Sequence, residues 1–144
     1  MQFHIILTAE ASGIGIACLT ARYFGCNIVF AKKSSSKNMG DDTYTSLVRS
    51  FTRGSVFEYR VDKRFLTKGQ RVLIIDDFLA DGQAAHSLID LVHQAGAEVA
   101  GIGIAIEKGF QPGGQFIRNM GYHLESLAIV ESMEVEPKKI NFRK

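Results

Sequence analysis

The stretch Val72-Leu73-Ile74-Ile75-Asp76-Asp77-Phe78-Leu79-Ala80-Asp81-Gly82-Gln83-Ala84 decides the fold. Val72–Asp77 begins with four consecutive aliphatic residues and no polar alternation, which reads as a strand buried on both faces of a parallel sheet. Two carboxylates close the run and a glycine turn follows. Gln83–Gln94 then places Ala84, Leu88, Leu91 and Val92 on one helical face, with Gly96 past its end. In open α/β sheets, ligands bind where such strands hand over to their helices.

Working outward, Phe3–Thr8 is a second apolar run, and Ser12–Phe24 carries Ile14, Ala17, Cys18 and Ala21 at helical spacing. Ser12 is the expected N-cap and Gly25 the expected residue beyond the C-terminus. Asn27–Lys32 completes a strand–helix–strand unit of right-handed crossover size. Lys33–Asp42, with Ser34-Ser35-Ser36, reads as a mobile loop. Tyr44–Phe51 and Ser55–Val61 alternate at period two around Arg53-Gly54 and read as a hairpin. Val99–Ile106, a short helix opened by Pro112, and a last strand at Leu124–Val130 complete the order βα, β, hairpin, βα, βα, β. The expected class is α/β: an open, mostly parallel sheet with helices on both faces and a β-hairpin flap. A single domain spans 1–144, with residues 33–53 as flap loop and start of the hairpin.

With 144 residues, 46% hydrophobic and 22% charged, the chain has room for one self-sufficient core. Cys18 and Cys26 cannot build a disulfide framework and read as buried thiols in a reducing compartment. No apolar run reaches the ~18 residues of a membrane span. Met1–Glu10 lacks the pattern of a signal peptide, so the expected address is the cytoplasm. A net charge of +2 argues against a nucleic-acid partner. The charge is unevenly spread: ten Lys/Arg and four acids from Ala31 to Arg71, then two Lys/Arg and ten acids from Val72 to Glu136. A basic stretch facing an acidic one suits a ligand that is both polyanionic and hydroxyl-rich; two solvated faces of opposite sign are the plain alternative.

Two carboxylates about 5 Å apart repel by about 3 kcal/mol at an effective dielectric of ~20, so the Asp76–Asp77 pair calls for hydroxyl donors or a cation. The amides of Ala80–Ala84, at a helix N-terminus, form an anion site. Diol on carboxylates and phosphate on amides describe a ribose 5-phosphate. An acidic cluster favoured by the helix dipole is the competing account. His4, His86, His93 and His123 have no metal-ligand spacing and read as structural or surface residues.

Val72–Asp77 followed by Phe78–Ala85 resembles the ribose-phosphate signature of the type I phosphoribosyltransferases, whose fold is Rossmann-like. Gly82-Gln83-Ala84, Glu10-Ala11-Ser12-Gly13-Ile14, Val29-Phe30-Ala31-Lys32-Lys33 and Ile106-Glu107-Lys108-Gly109-Phe110-Gln111-Pro112-Gly113 are similar to its xanthine-specific branch. The resemblance implies transfer of phosphoribose from phosphoribosyl pyrophosphate to xanthine or another 6-oxopurine in purine salvage, giving the nucleotide and pyrophosphate. It further implies Mg²⁺ and a homodimer.

By the same resemblance, Asp76 and Asp77 hold the ribose hydroxyls, and Ala80, Asp81, Gly82, Gln83 and Ala84 the 5-phosphate. Ala11, Ser12 and Gly13 offer amides to pyrophosphate, Lys33 neutralises it, and Lys108 donates to the purine oxygen. The plain alternatives are a Ser N-cap, a solvated Lys33 and a Lys108–Glu107 pair. No residue is assigned as a direct metal ligand. Asp81 stands where the family carries a neutral residue, and is expected to turn away and cap the helix. Members of the branch also carry an N-terminal hood segment before the first central strand, and here that strand opens the chain. The other readings compatible with the same pocket are a phosphoribosyl-pyrophosphate sensor without catalysis and an inactive core lacking the hood.

Overall fold

The computed structural model describes residues 2–34, 42–50, 54–136 and 138–144. Its elements are β1 (Ile5–Ala9), α1 (Ile14–Phe24), β2 (Asn27–Ser34), β3 (Thr43–Ser50), β4 (Ser55–Asp62) and β5 (Arg71–Leu79). They continue with α2 (Gln83–Gln94), β6 (Glu98–Lys108), α3 (Gly113–Asn119), β7 (Leu124–Glu134) and β8 (Lys139–Phe142). All eight strands form one sheet in the order β3-β4-β2-β1-β5-β6-β7-β8. The central five are parallel, while the β3–β4 hairpin and β8 add antiparallel edges.

The aliphatic run of β5 is buried on both sides because successive side chains face opposite layers. Ile74 packs with Leu7, Leu88, Leu91 and Ile102 under α2, and Ile117 of α3 joins them. Ile75 packs with Ile6, Ala17 and Ala21 under α1. Helices therefore lie on both faces. Each fully buried Leu or Ile contributes about 1.5–3 kcal/mol, so the α2 layer is the stronger. Gly25 ends α1 in the left-handed region (φ 66°), where a side chain would be strained, and its N–H bonds the Ala21 carbonyl.

Several expectations need correcting. Gly13, not Ser12, is the N-cap of α1, and no side chain caps it. Cys18 is exposed on the outer side of α1, and Cys26 is half-buried. Lys33 and Ser34 belong to β2 rather than to a loop, because they pair with Tyr59 and Glu58 of β4. The hairpin is thereby a sheet edge, and α2 holds it from below through Ser87 Oγ donating to the Leu47 carbonyl at 2.8 Å. The flap assigned to 33–53 includes 35–41 and 51–53, which lie outside the described residues. The chain also gains a strand: β8 pairs with β7, Met133 opposite Ile140.

Candidate active site

Three turns meet at the carboxyl ends of β1, β5 and β6. Asp76 and Asp77 lie in the last four residues of β5, which runs on to Leu79 because Phe78 and Leu79 still pair with Ile106 and Glu107. Asp76 is 9% exposed, and its Oδ1 accepts the Asp77 N–H at 2.9 Å. Asp77 Oδ1 in turn accepts the Phe78 N–H at 2.9 Å. Burial first, and then the Asp77 side chain, push the Asp76 carboxyl up to about 7, against the pull of the Asp77 N–H. The pair is thus held by backbone amides within the strand, at a real electrostatic cost.

The turn after β1 comes to this pair. A Cβ on Gly13 would lie 2.8 Å from Asp76 Oδ1 and 2.3 Å from Thr8 Oγ1, so only glycine lets the turn approach the carboxylate. Ala11 and Ser12 are exposed above it, and the Glu10–Ala11 peptide is cis. Glu10 Oε1 accepts the backbone N–H of Lys33 at 2.5 Å, tying β2 to the same turn. The Lys33 ammonium lies 4.1 Å from the centre of the Phe57 ring, held over an aromatic face.

The turn after β5 is pinned from the opposite side. Gly82 (φ 90°) opens α2, and its N–H stands 2.7 Å from where a Cβ of Gly113 would be. The Gly113 N–H donates to the Ala80 carbonyl at 3.1 Å. Asp81 Oδ1 accepts the Gln83 N–H at 3.1 Å, a side chain turned onto its own helix start. Ala84 stands next in the first turn of α2, whose leading amides have no partner within the helix. Lys108, at the end of β6, leans over the Phe78 ring with its ammonium 5.9 Å from the centroid.

The Lys108–Glu107 pairing is not what forms. Glu107 is 3% exposed and receives both Arg118 guanidinium nitrogens, at 2.8 and 2.9 Å, and the Ser126 hydroxyl at 2.8 Å. Burial raises its carboxyl, but the Arg118 and Ser126 bonds outweigh that and hold it below the usual range. Sequence reading missed this group because nothing in the chain links position 107 to position 118. It missed Tyr59 as well. That phenol, buried in β4, is pushed up to about 12 by burial and then by the fields of Asp76, Asp77 and Glu10, so the hairpin brings an aromatic wall to the acidic pair. Period-two alternation pointed to a buried face of β4 but not to what it would meet.

Among the described residues, no three His, Cys, Asp or Glu side chains converge as a metal cage. Among the described residues, no helix is long and apolar enough to cross a membrane.

The family described as "Phosphoribosyl transferase domain" matches residues 2–113. The chain is 58% identical over 139 residues to a xanthine phosphoribosyltransferase of Bifidobacterium adolescentis, covering 96% of this chain and 72% of that protein. It is 56% identical over 138 residues to the Lachnoclostridium phytofermentans protein of the same name, covering 96% and 71%. Among solved structures, it resembles an adenine phosphoribosyltransferase from Thermoanaerobacter pseudethanolicus with TM-score 0.76 and 26% identity, over 89% of this chain and 70% of that one. The Giardia lamblia enzyme complexed with 9-deazaadenine superimposes with TM-score 0.77 at 23% identity, over 90% and 70%, which speaks for the fold. The carboxylate pair at the end of β5, the glycine-tight turn after β1 and the match along residues 2–113 agree: this chain belongs to the phosphoribosyl transferase domain family.

Proposed function

We propose that the chain transfers the 5-phosphoribosyl group of phosphoribosyl pyrophosphate to xanthine, forming the purine nucleotide and releasing pyrophosphate. The carrying observation is the packing of three turns at the carboxyl edge of the sheet: the Gly13 turn beside the Asp76 carboxylate, and the Gly82 turn that follows Asp77 in the chain packed against Gly113, which bonds Ala80. The names of the relatives at 56–58% identity supply the purine.

In this reading, the sugar lies along the end of β5. Asp76 and Asp77 accept from its two hydroxyls, and the Ala80–Ala84 amides receive the 5-phosphate, which takes the Gln83 N–H over from the Asp81 carboxylate. Ala11–Gly13 and Lys33 receive the pyrophosphate. As the bond from the anomeric carbon to the pyrophosphate oxygen breaks, positive charge develops on that carbon. A nitrogen of the purine, whose exocyclic oxygen Lys108 holds, attacks from the opposite side and forms the new C–N bond as its proton passes to solvent. Alignment and neutralisation of the leaving charge are what the protein supplies; no covalent nucleophile is needed.

Mg²⁺ fits the donor set. Two adjacent carboxylates, one of them buried with a backbone amide as its hydrogen-bond donor, are hard-oxygen ligands of the kind this ion takes alongside phosphate oxygens. Asp76 and Asp77 would hold it, and when bound it adds charge neutralisation at the departing pyrophosphate. A homodimer in the cytoplasm completes the reading; for the dimer, the exposed apolar residues Tyr23 (83%) and Leu127 (88%) are the support.

The test incubates the chain with phosphoribosyl pyrophosphate and xanthine, guanine or hypoxanthine, with and without Mg²⁺, and measures pyrophosphate. Release with xanthine, dependent on the metal, is expected. Tight binding of the activated sugar without release would replace the transferase by a sensor domain.

A further inference from the structure

Thr8 has no role in the scheme above, yet it lies at its centre. It is 0% exposed in β1, between the buried apolar residues Leu7 and Ala9. Its Oγ1 is, among the described residues, the buried side-chain polar atom that has no hydrogen-bond partner. A buried hydroxyl without a partner is costly, and valine has the same shape without that cost, so packing alone does not account for threonine here. The hydroxyl faces the Cα of Gly13. The point where a Cβ of Gly13 would lie is 2.3 Å from Thr8 Oγ1 and 2.8 Å from Asp76 Oδ1. The space that glycine leaves at position 13 is therefore bordered by a donor lacking an acceptor and by a carboxylate oxygen. That oxygen accepts one N–H, from Asp77, and has a lone pair left.

We propose that Thr8 is a positioning residue: when an anion draws the Ala11–Gly13 turn outward, the Thr8 hydroxyl donates to Asp76 Oδ1 and fixes the orientation of the carboxylate toward the sugar. The inference rests on the sugar site proposed above. It couples the pyrophosphate turn to the ribose-binding carboxylate through a single hydroxyl, so that filling one half of the activated sugar's site orders the other. Gly13 is what makes the device workable, since any side chain there would fill the gap that the hydroxyl must cross.

The experiment compares the unaltered chain with Thr8→Ser, Thr8→Val and Thr8→Ala, measuring phosphoribosyl pyrophosphate binding by calorimetry, KM and kcat for both substrates, and thermal unfolding. Thr8→Val is expected to unfold at the same temperature as the unaltered chain or above it. Its Kd and KM for phosphoribosyl pyrophosphate should rise about tenfold, the size of one lost hydrogen bond to a charged group, with KM for xanthine unchanged. Thr8→Ser restores the affinity and Thr8→Ala does not. Equal affinity in Thr8→Val, or a loss that Thr8→Ser fails to restore, overturns the role of the hydroxyl while leaving the sugar site intact. Failure of the unaltered chain to bind the activated sugar overturns the sugar site itself, and this inference with it.

Discussion

The N–H of Gly113, at the start of α3, donates to the carbonyl of Ala80, just past the end of β5, across 3.1 Å. This bond joins the turn assigned to the sugar phosphate with the loop that follows Lys108. A Cβ on Gly113 would lie 2.5 Å from that carbonyl oxygen and 2.7 Å from the Gly82 nitrogen, both backbone atoms that cannot swing aside. Gly113→Ala is therefore expected to destabilise the fold by about 1–3 kcal/mol and to weaken ribose 5-phosphate binding together with purine binding. Denaturant midpoints and two binding isotherms check this. Unchanged affinities in a destabilised variant would show that the contact serves only the fold.

Asp76 gives a pH signature. Its folded value of about 7 lies above the ordinary carboxylate value, so the native state favours the protonated form. That stability is fully present below the unfolded value near 3.9 and is lost as pH rises to about 7. Asp76→Asn keeps it. The stability gap in favour of Asp76→Asn should widen by on the order of 3 kcal/mol between pH 5 and pH 8 in urea titrations, while binding of the activated sugar disappears. A gap independent of pH would mean that burial is not what strains this carboxyl.

Glu107 behaves in the opposite sense. Arg118→Met leaves a buried carboxylate without its guanidinium and should cost about 3–5 kcal/mol, with Glu107→Gln in the same chain recovering much of it. Since the Glu107 carboxyl is held below its usual range, its contribution is present above the unfolded value and is lost as pH falls. The gap between Arg118→Met and the unaltered chain should shrink in acid, as followed by thermal unfolding at pH 4 and pH 7.

Lys108→Ala should weaken xanthine binding by about 10–100-fold, the range for a hydrogen bond from a charged donor, and leave the activated sugar's affinity alone. Its ammonium leans on Phe78 and is not used by Glu107, so no buried charge is orphaned by the change. Equal losses for both substrates in calorimetry would assign Lys108 a structural part instead.

Asp81→Ala separates two effects. It removes the acceptor for the Gln83 N–H, costing about 0.5–2 kcal/mol of stability as a lost helix-start contact. It also frees that amide and removes a negative charge from the phosphate turn, so ribose 5-phosphate should bind more tightly. Stability and affinity moving in the same direction would count against an anion at these amides.

The run at Val72–Asp77, the helix at Gln83–Gln94 and the hairpin were legible because each carries its own period or its own burial in consecutive residues. So was the acidic pair, because two adjacent carboxylates at a strand end are conspicuous in one dimension. The strand β8 escaped notice because Lys139–Phe142 is short and only its pairing with β7 gives it a reason to be extended. Cys18 looked buried by its helical spacing, yet α1 buries only the side carrying Ala17 and Ala21.

The sequence by itself determined which residues form the layers and where the charged turns fall along the chain, since local pattern and hydrophobic period act between near neighbours. Tertiary structure alone decided which of those turns meet. Gly13 beside Asp76, Gly113 against Gly82, Tyr59 near the acids and Arg118 on Glu107 are contacts between different elements, from eleven residues apart to more than sixty. They are set by the order of strands in the sheet and by how closely glycine lets two backbones approach.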